Sequence, residues 1–228
     1  MPRALITGGS AGLGRELTEA LLGRNWQVIT DARSADRLQE CYRHRAGVIA
    51  LAGDVADRAH RQRLAAAVGD RPLDLLVNNA STLGETPLPP LASAQLSAIA
   101  SSYEVNVLAP LALFQLLRAN LLRAQGAVLN LSSDAAVAGY PGWGGYGSGK
   151  AALDQLTRTL GGENPELACY AVDPGDLRTE LHQAAFPGQD ISDRPLPATV
   201  LPALLRLIED RPPSGRYRLR AAAEFVAA

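Results

Sequence analysis

The chain has 228 residues, 47 % hydrophobic and 20 % charged, with 22 basic against 23 acidic side chains and a net charge of −1. That balance argues against a nucleic-acid or anionic-membrane binder, which carries a basic excess. Two cysteines, Cys41 and Cys169, are too few for a disulfide framework and point to a reducing, cytoplasmic setting. His44, His60 and His182 are scattered without metal-ligand spacing, so no metal is expected.

In chain order, Arg3–Thr7 reads as a short apolar strand that begins too close to Met1 to leave room for a leader, and Gly8-Gly9 breaks it. Leu13, Leu17, Ala20 and Leu21 then keep helical spacing over 12–24. Further strands are predicted at Trp26–Thr30, Val48–Leu51, Leu73–Val77, Ala127–Leu131 and Ala168–Val172, with helices near 57–68, 94–123, 147–161 and 197–210. Arg216–Leu219 reads as a short last strand, and the longest apolar runs fall short of a membrane span. Continuous apolar strands joined by helices imply one doubly wound α/β domain over 1–228, a mostly parallel Rossmann-type sheet with helices on both faces. Residues 175–198 carry Pro187, Pro195 and Pro197 with little periodicity. They follow the sixth strand's carboxyl end, where open α/β sheets put their ligands, and are expected to form a substrate lid.

The turn Thr7-Gly8-Gly9-Ser10-Ala11-Gly12-Leu13-Gly14 lies between the first strand and the first helix. Glycines there allow a tight turn, the approach of a pyrophosphate and close helix–sheet packing, while the helix N-terminus offers free N–H groups to phosphate. Gly8, Ser10, Gly12, Leu13 and Gly14 are therefore candidate dinucleotide contacts. A second cue is compositional: of the 22 basic residues only Lys150 is lysine. A lone lysine among arginines marks a place where a compact, titratable ammonium is wanted.

Four further segments make the chain resemble the short-chain dehydrogenases/reductases, in their compact single-domain branch. Asp54-Val55 follows the third strand like the family's adenine-contacting pair. Asn78-Asn79-Ala80 ends the fourth like its N-N-A-G, with Ser81 in place of the glycine. Tyr146-Gly147-Ser148-Gly149-Lys150 matches Y-x-x-x-K, with Ser133 thirteen residues earlier and Asn106 forty earlier. Pro174-Gly175 and then Thr179 match P-G-x-x-x-T. The resemblance implies an NAD(P)-dependent carbonyl reductase or alcohol dehydrogenase. It adds Asp54, Val55, Asn79, Ala80, Pro174, Gly175 and Thr179 to the cofactor contacts, has Lys150 hold the nicotinamide ribose, and has Asn106 hold a water that feeds protons toward Lys150.

The other roles follow from chemistry. Tyr146 and Lys150, four apart, share one helix face, and an ammonium beside a phenol favours the phenolate. Bringing a tyrosine from about 10 to about 7 takes roughly 4 kcal/mol. Tyr146 is then general acid in reduction and general base in oxidation. Ser133 is expected to orient the substrate oxygen, with Ser132 competing for that role. Asp134 and Asp176 border the cleft as turn or capping acids, Tyr140 and Trp143 line the substrate pocket or pack, and His182 faces solvent on the lid. An acid after the second strand would favour NAD and an arginine NADP. Here Ala32 fills the family's acidic position, Asp31 is expected to point away, and Arg33 and Ser34 grip the 2′-phosphate, so NADP is expected over NAD. The helix over 105–122 is apolar around most of its circumference, which suggests burial against another subunit, and the family resemblance implies a homodimer or homotetramer. The substrate expected is a small, uncharged, fairly apolar carbonyl or alcohol. The rival readings are a non-catalytic dinucleotide-binding scaffold and an epimerase or dehydratase on the same fold.

Overall fold

In the computed structural model, which describes residues 1–221 and 223–228, eight strands form one sheet. They are β1 (Arg3–Ile6), β2 (Gln27–Ala32), β3 (Val48–Ala52), β4 (Leu75–Asn78), β5 (Ala127–Leu131), β6 (Ala168–Asp173), β7 (Gly215–Arg220) and β8 (Glu224–Ala227). Their order is β3-β2-β1-β4-β5-β6-β7-β8, parallel throughout except for the antiparallel β7–β8 pair. The helices are α1 (Gly12–Leu22), α2 (Ala35–Tyr42), α3 (Arg58–Val68), α4 (Leu96–Tyr103), α5 (Ala109–Ala124), α6 (Gly144–Glu163), α7 (Glu180–Ala185) and α8 (Leu201–Asp210).

Strands buried on both sides need apolar helices on both sides. β1, β4 and β5 are buried at every position. On one face Leu13, Leu17 and Leu21 of α1 pack with Leu204, Leu207 and Ile208 of α8. On the other, Leu64 and Val68 of α3 join Leu113, Leu117 and Leu121 of α5 and Leu160 of α6. β1 pairs with both β2 and β4, so the winding reverses there, and a crevice opens at the carboxyl ends of the strands.

The predicted doubly wound architecture is the one found, with four local differences. The single helix expected over 94–123 is α4 and α5 joined by a π turn, Glu104–Leu108. By length and apolar composition the continuous run Leu96–Ala124 is sufficient to cross a membrane, contrary to the expectation from sequence, yet half of its most apolar stretch is buried inside this fold. The short α2 and β8 were not anticipated, and the proline-rich 175–198 segment contains α7. α6 begins at Gly144 rather than near 147, which brings Tyr146 and Lys150 into the same regular helix.

Candidate active site

A cleft of about 1070 Å³ follows the carboxyl ends of β1, β2, β4, β5 and β6. Its floor is the turn between β1 and α1. Gly8 has φ +71°, a conformation open to glycine, and its N–H donates to Asp31 Oδ1 at 2.8 Å. A Cβ on Gly14 would lie 2.3 Å from Asn79 Nδ2 and 2.5 Å from the Gly8 carbonyl, so only glycine lets α1 seat this close. Ala11 at the N-cap offers no side-chain cap, and the first turn of α1 contains no acid. The first amides of α1 are thus left to an anion, and the glycine turn fits the pyrophosphate of a dinucleotide.

Most predicted cofactor contacts line this cleft: Gly8, Ser10, Gly12, Leu13, Arg33, Ser34, Asp54, Val55, Asn79, Ala80, Pro174, Gly175 and Thr179. Gly14 does not; it is a packing residue behind the turn. Asn79 uses its side chain on the turn itself, donating from Nδ2 to the carbonyls of Thr7 (2.8 Å) and Gly8 (3.1 Å). Thr7 Oγ accepts from the Asn79 and Ala80 amides, both at 3.0 Å, so β1 and the end of β4 are tied together. Ser34 caps α2 by accepting from the Arg37 amide.

Asp31 lines the cleft beside the glycine turn rather than pointing away from it. It is buried, and its second oxygen lies 2.8 Å from His60 Nε2. His60 Nδ1 faces the Arg63 guanidinium at 2.9 Å, and since arginine can only donate, the ring carries its proton on Nε2 and donates to Asp31. Both Asp31 oxygens are therefore engaged. Arg33 is exposed at the mouth, and Arg37, not anticipated from sequence, lines the same corner with its guanidinium 2.7 Å from Glu180 of α7. Arg15 is exposed and is not among the cleft-lining residues.

At the other end, Ser133, Tyr146 and Lys150 converge on the cleft. Ser133 extends from β5, its hydroxyl donating to Asp134 Oδ1 (3.1 Å) and accepting from the Ala135 amide (3.2 Å). Ser132 also lines the cleft, and its buried hydroxyl has no hydrogen-bond partner among the described residues. Lys150 is buried, donates from Nζ to the Leu131 carbonyl at 2.7 Å, and stands 5.5 Å from the centroid of the Tyr146 ring. Burial lowers its pKa to about 8, with Asp154 pulling the other way. Tyr146 departs from the expectation of a lowered pKa: burial pushes it up to about 12, hydrogen bonding with Ser81 opposes this, and Asp173 and Asp134 add to it. The ammonium is drawn to a β5 carbonyl and sits over the ring, so it does not offset the phenol's desolvation.

Asn106 lies in the π turn, buried and one layer behind the cleft wall. Its Oδ1 accepts from Ser81 Oγ and the Thr82 amide, both at 3.0 Å, and its Nδ2 donates to the Thr82 carbonyl at 2.7 Å. Its side chain thus fixes the loop after β4.

Several neighbours were missed or misplaced by sequence reasoning. His182 does not simply face solvent: it lines the cleft, its Nε2 is buried without a partner among the described residues, and its ring lies 5.0 Å from that of Phe186. Phe186 is 6.0 Å from Trp143, which is 5.8 Å from Tyr146, centroid to centroid, so one aromatic wall runs from the phenol to the lid segment. Arg216 of β7 reaches beneath the site, with Nε 2.9 Å from Asp154 Oδ2 and Nη2 2.9 Å from the Ser133 carbonyl and 3.4 Å from Asp173 Oδ2. The three arginines alternating along β7, Arg216, Arg218 and Arg220, were the available sequence signal. Both cysteines are free, and burial pushes the Cys169 thiol up to about 11. No cluster of metal-ligating side chains exists among the described residues.

A parallel doubly wound sheet with a glycine cradle at the switch point, and with a serine, tyrosine and lysine at its far end, defines a dinucleotide-dependent oxidoreductase. More narrowly, the chain belongs to the short-chain dehydrogenases, whose family model ("short chain dehydrogenase") matches residues 2–190. It is 32 % identical over 219 residues to L-xylulose reductase of Bos taurus, covering 94 % of this chain and 82 % of that one. It is 31 % identical over 196 residues to serine 3-dehydrogenase of Agrobacterium fabrum, covering 83 % and 78 %. Among solved structures, an alcohol dehydrogenase of Thermococcus sibiricus complexed with 5-hydroxy-NADP is similar with a TM-score of 0.84 at 26 % identity over 98 % of both chains. A Shigella flexneri protein assigned as a short chain dehydrogenase, complexed with NADP, gives 0.86 at 26 % identity over 95 % of both. The protein is accordingly an NAD(P)-dependent oxidoreductase interconverting carbonyl and alcohol groups, and the scaffold reading is not favoured.

Proposed function

We propose that the protein is an NADPH-preferring reductase of uncharged, fairly apolar carbonyl compounds. The observation that carries this reading is one continuous cleft, with two arginines and no free carboxylate of β2 at the adenosine end and the buried Tyr146 beside Lys150 at the other. Arg33, Arg37 and the Ser34 hydroxyl take the 2′-phosphate. The amides of the glycine turn and of α1 take the pyrophosphate, and Lys150 with Tyr146 holds the nicotinamide ribose. The bound coenzyme supplies the hydride.

The chain's own residues then have simple tasks. Ser133 hydrogen-bonds the carbonyl oxygen and sets its distance from Tyr146. With its pKa raised to about 12, Tyr146 keeps its proton at neutral pH, the state a general acid needs for reduction. It donates that proton to the oxygen as the carbonyl becomes an alcohol. Lys150, with a pKa near 8, can bind or lose a proton close to neutrality and restores the phenol's proton in concert with solvent, while Asn106 acts from behind by fixing the loop after β4. The aromatic wall of Trp143 and Phe186 with Leu83 excludes water and favours an apolar substituent, and His182 Nε2 is its polar contact.

Residues 175–198 act as the lid over this pocket. The half-exposed Leu108 and Leu116 on the π turn and α5 support association into a homodimer or homotetramer, and the reduced cysteines support a cytoplasmic protein. The test is turnover of NADPH with a panel of aliphatic and aryl ketones and aldehydes, in the parent and in Tyr146→Phe. The variant is expected to keep binding NADPH, weakened only by the one ribose hydrogen bond it loses, and to reduce nothing. Retained reduction in Tyr146→Phe overturns the assignment of the acid.

A further inference from the structure

The proton of Ser133 already has an acceptor within the fold. At the short helical turn Asp134–Ala136 after β5, Ser133 Oγ accepts from the Ala135 amide at 3.2 Å and donates to Asp134 Oδ1 at 3.1 Å. The other carboxylate oxygen, Oδ2, accepts from the Tyr140 hydroxyl at 2.9 Å, so the Asp134 side chain is held from both ends. An ionised carboxylate only accepts and a hydroxyl has one proton, so the direction of each bond is settled by the groups themselves. All three residues line the cleft, and Asp134 is half-buried there. A carbonyl oxygen has no proton of its own. To hydrogen-bond it, Ser133 must withdraw its proton from Asp134, and Oδ1 is left without that donor just as substrate displaces water from the cleft.

We propose that Asp134 is a specificity-determining residue that selects ketones bearing a hydroxyl on the carbon next to the carbonyl. In such a ketone the hydroxyl and carbonyl oxygens stand about one hydrogen-bond length apart when they are syn. That separation matches the 3.1 Å step from Ser133 Oγ to Asp134 Oδ1. With the carbonyl oxygen on Ser133, the substrate hydroxyl donates to Oδ1 and replaces the proton that Ser133 has withdrawn. No covalent bond to either proton breaks, and both keep an acceptor. A plain ketone takes the serine proton and gives the carboxylate nothing in return. Hydrogen bonds to an ionised group are the strong ones, so the two kinds of ketone are well separated. The remaining, apolar substituent is left to the aromatic wall of Trp143 and Phe186. This role rests on the reductase reading proposed above and narrows its substrates to hydroxy ketones.

The test uses α-hydroxyacetophenone, its methyl ether and propiophenone. Propiophenone has a methyl group in place of the hydroxyl, while the ether keeps the oxygen and its pull on the carbonyl but cannot donate. Values of kcat/KM with NADPH are compared in the parent, Asp134→Asn and Asp134→Ala, so the intrinsic reactivity of each ketone cancels between proteins. The parent is expected to favour the hydroxy ketone by about 10–100-fold over the other two. Asp134→Ala is expected to lose most of that preference, and the asparagine variant, which keeps a neutral acceptor, to fall between. Equal turnover of the three ketones by the parent overturns the role of Asp134 alone. A preference undiminished in Asp134→Ala also overturns it, as do equal falls for all three ketones, which a merely structural role would give. Turnover of none by a parent that binds NADPH overturns the reductase reading and this role with it.

Discussion

Replacing Arg33 by alanine should separate the two coenzymes. Asp31 is already committed on both oxygens, one accepting from Gly8 and the other from His60, which weakens its claim on a ribose 2′-hydroxyl. What remains at the mouth is cationic. A guanidinium hydrogen-bonded to a phosphate is worth about 1.5–3 kcal/mol, so Arg33→Ala should weaken NADPH by about 10–100-fold and leave NADH unchanged. Arg37 has a smaller claim, because it must first release Glu180 at 2.7 Å, an exposed pair that solvent screens. It follows that Glu180→Gln should tighten NADPH by no more than about fivefold, with no effect on NADH. Dissociation constants for both coenzymes, measured calorimetrically at low and high salt, decide the matter. Equal losses for NADPH and NADH in Arg33→Ala, or a parent protein that prefers NADH, would refute the reasoning.

Three other substitutions probe the frame of the site. Gly14→Ala should abolish NADPH binding and lower the thermal midpoint, because its Cβ would meet Asn79 and the Gly8 carbonyl at 2.3 and 2.5 Å; binding and melting curves of the variant check this. Between pH 8 and 10.5 the unfolded chain holds the Lys150 proton and the folded one sheds it, so folding stability should gain at most about 3 kcal/mol as pH rises through that window. The difference in urea stability between the parent and Lys150→Met, taken at both ends of the window, isolates that gain from the opposing titration of Cys169 and Tyr146. Arg216→Met should cost about 3–5 kcal/mol, since it leaves Asp154 a buried carboxylate without its cation and Asp173 with only the half-exposed Arg218 at 3.8 Å, and chemical denaturation measures it directly.

The glycine turn, the strand order and the convergence of Ser133, Tyr146 and Lys150 were legible because each rests on local spacing within a regular element. What escaped reading lacks that support. The π turn at 104–108 is a slip within an almost uniformly apolar helix, where no polar stripe records a change of phase. α2 buries only Leu38 and Tyr42, α7 buries nothing fully, and β8 is four residues at an edge. The i, i+4 spacing placed Tyr146 and Lys150 on one face but said nothing of the Leu131 carbonyl that draws the ammonium away from the phenol oxygen. His60, by contrast, did leave a trace: with Leu64 and Val68 it completes the buried stripe of α3.

Arg216 has a bearing on how the protein comes to life on the ribosome. The glycine turn and the Asn79 that braces it are complete within the first 80 residues, and the last of Ser133, Tyr146 and Lys150 is translated by residue 150. Asp154 and Asp173, however, lie beneath them as uncompensated carboxylates until β7 delivers its guanidinium, which also braces the Ser133 carbonyl. A nascent chain is thus able to shape its nucleotide cradle early while its reaction centre stays unbraced. Completion is deferred to the docking of a strand that is nearly the last to be made, and a chain cut before Gly215 would lack the brace altogether.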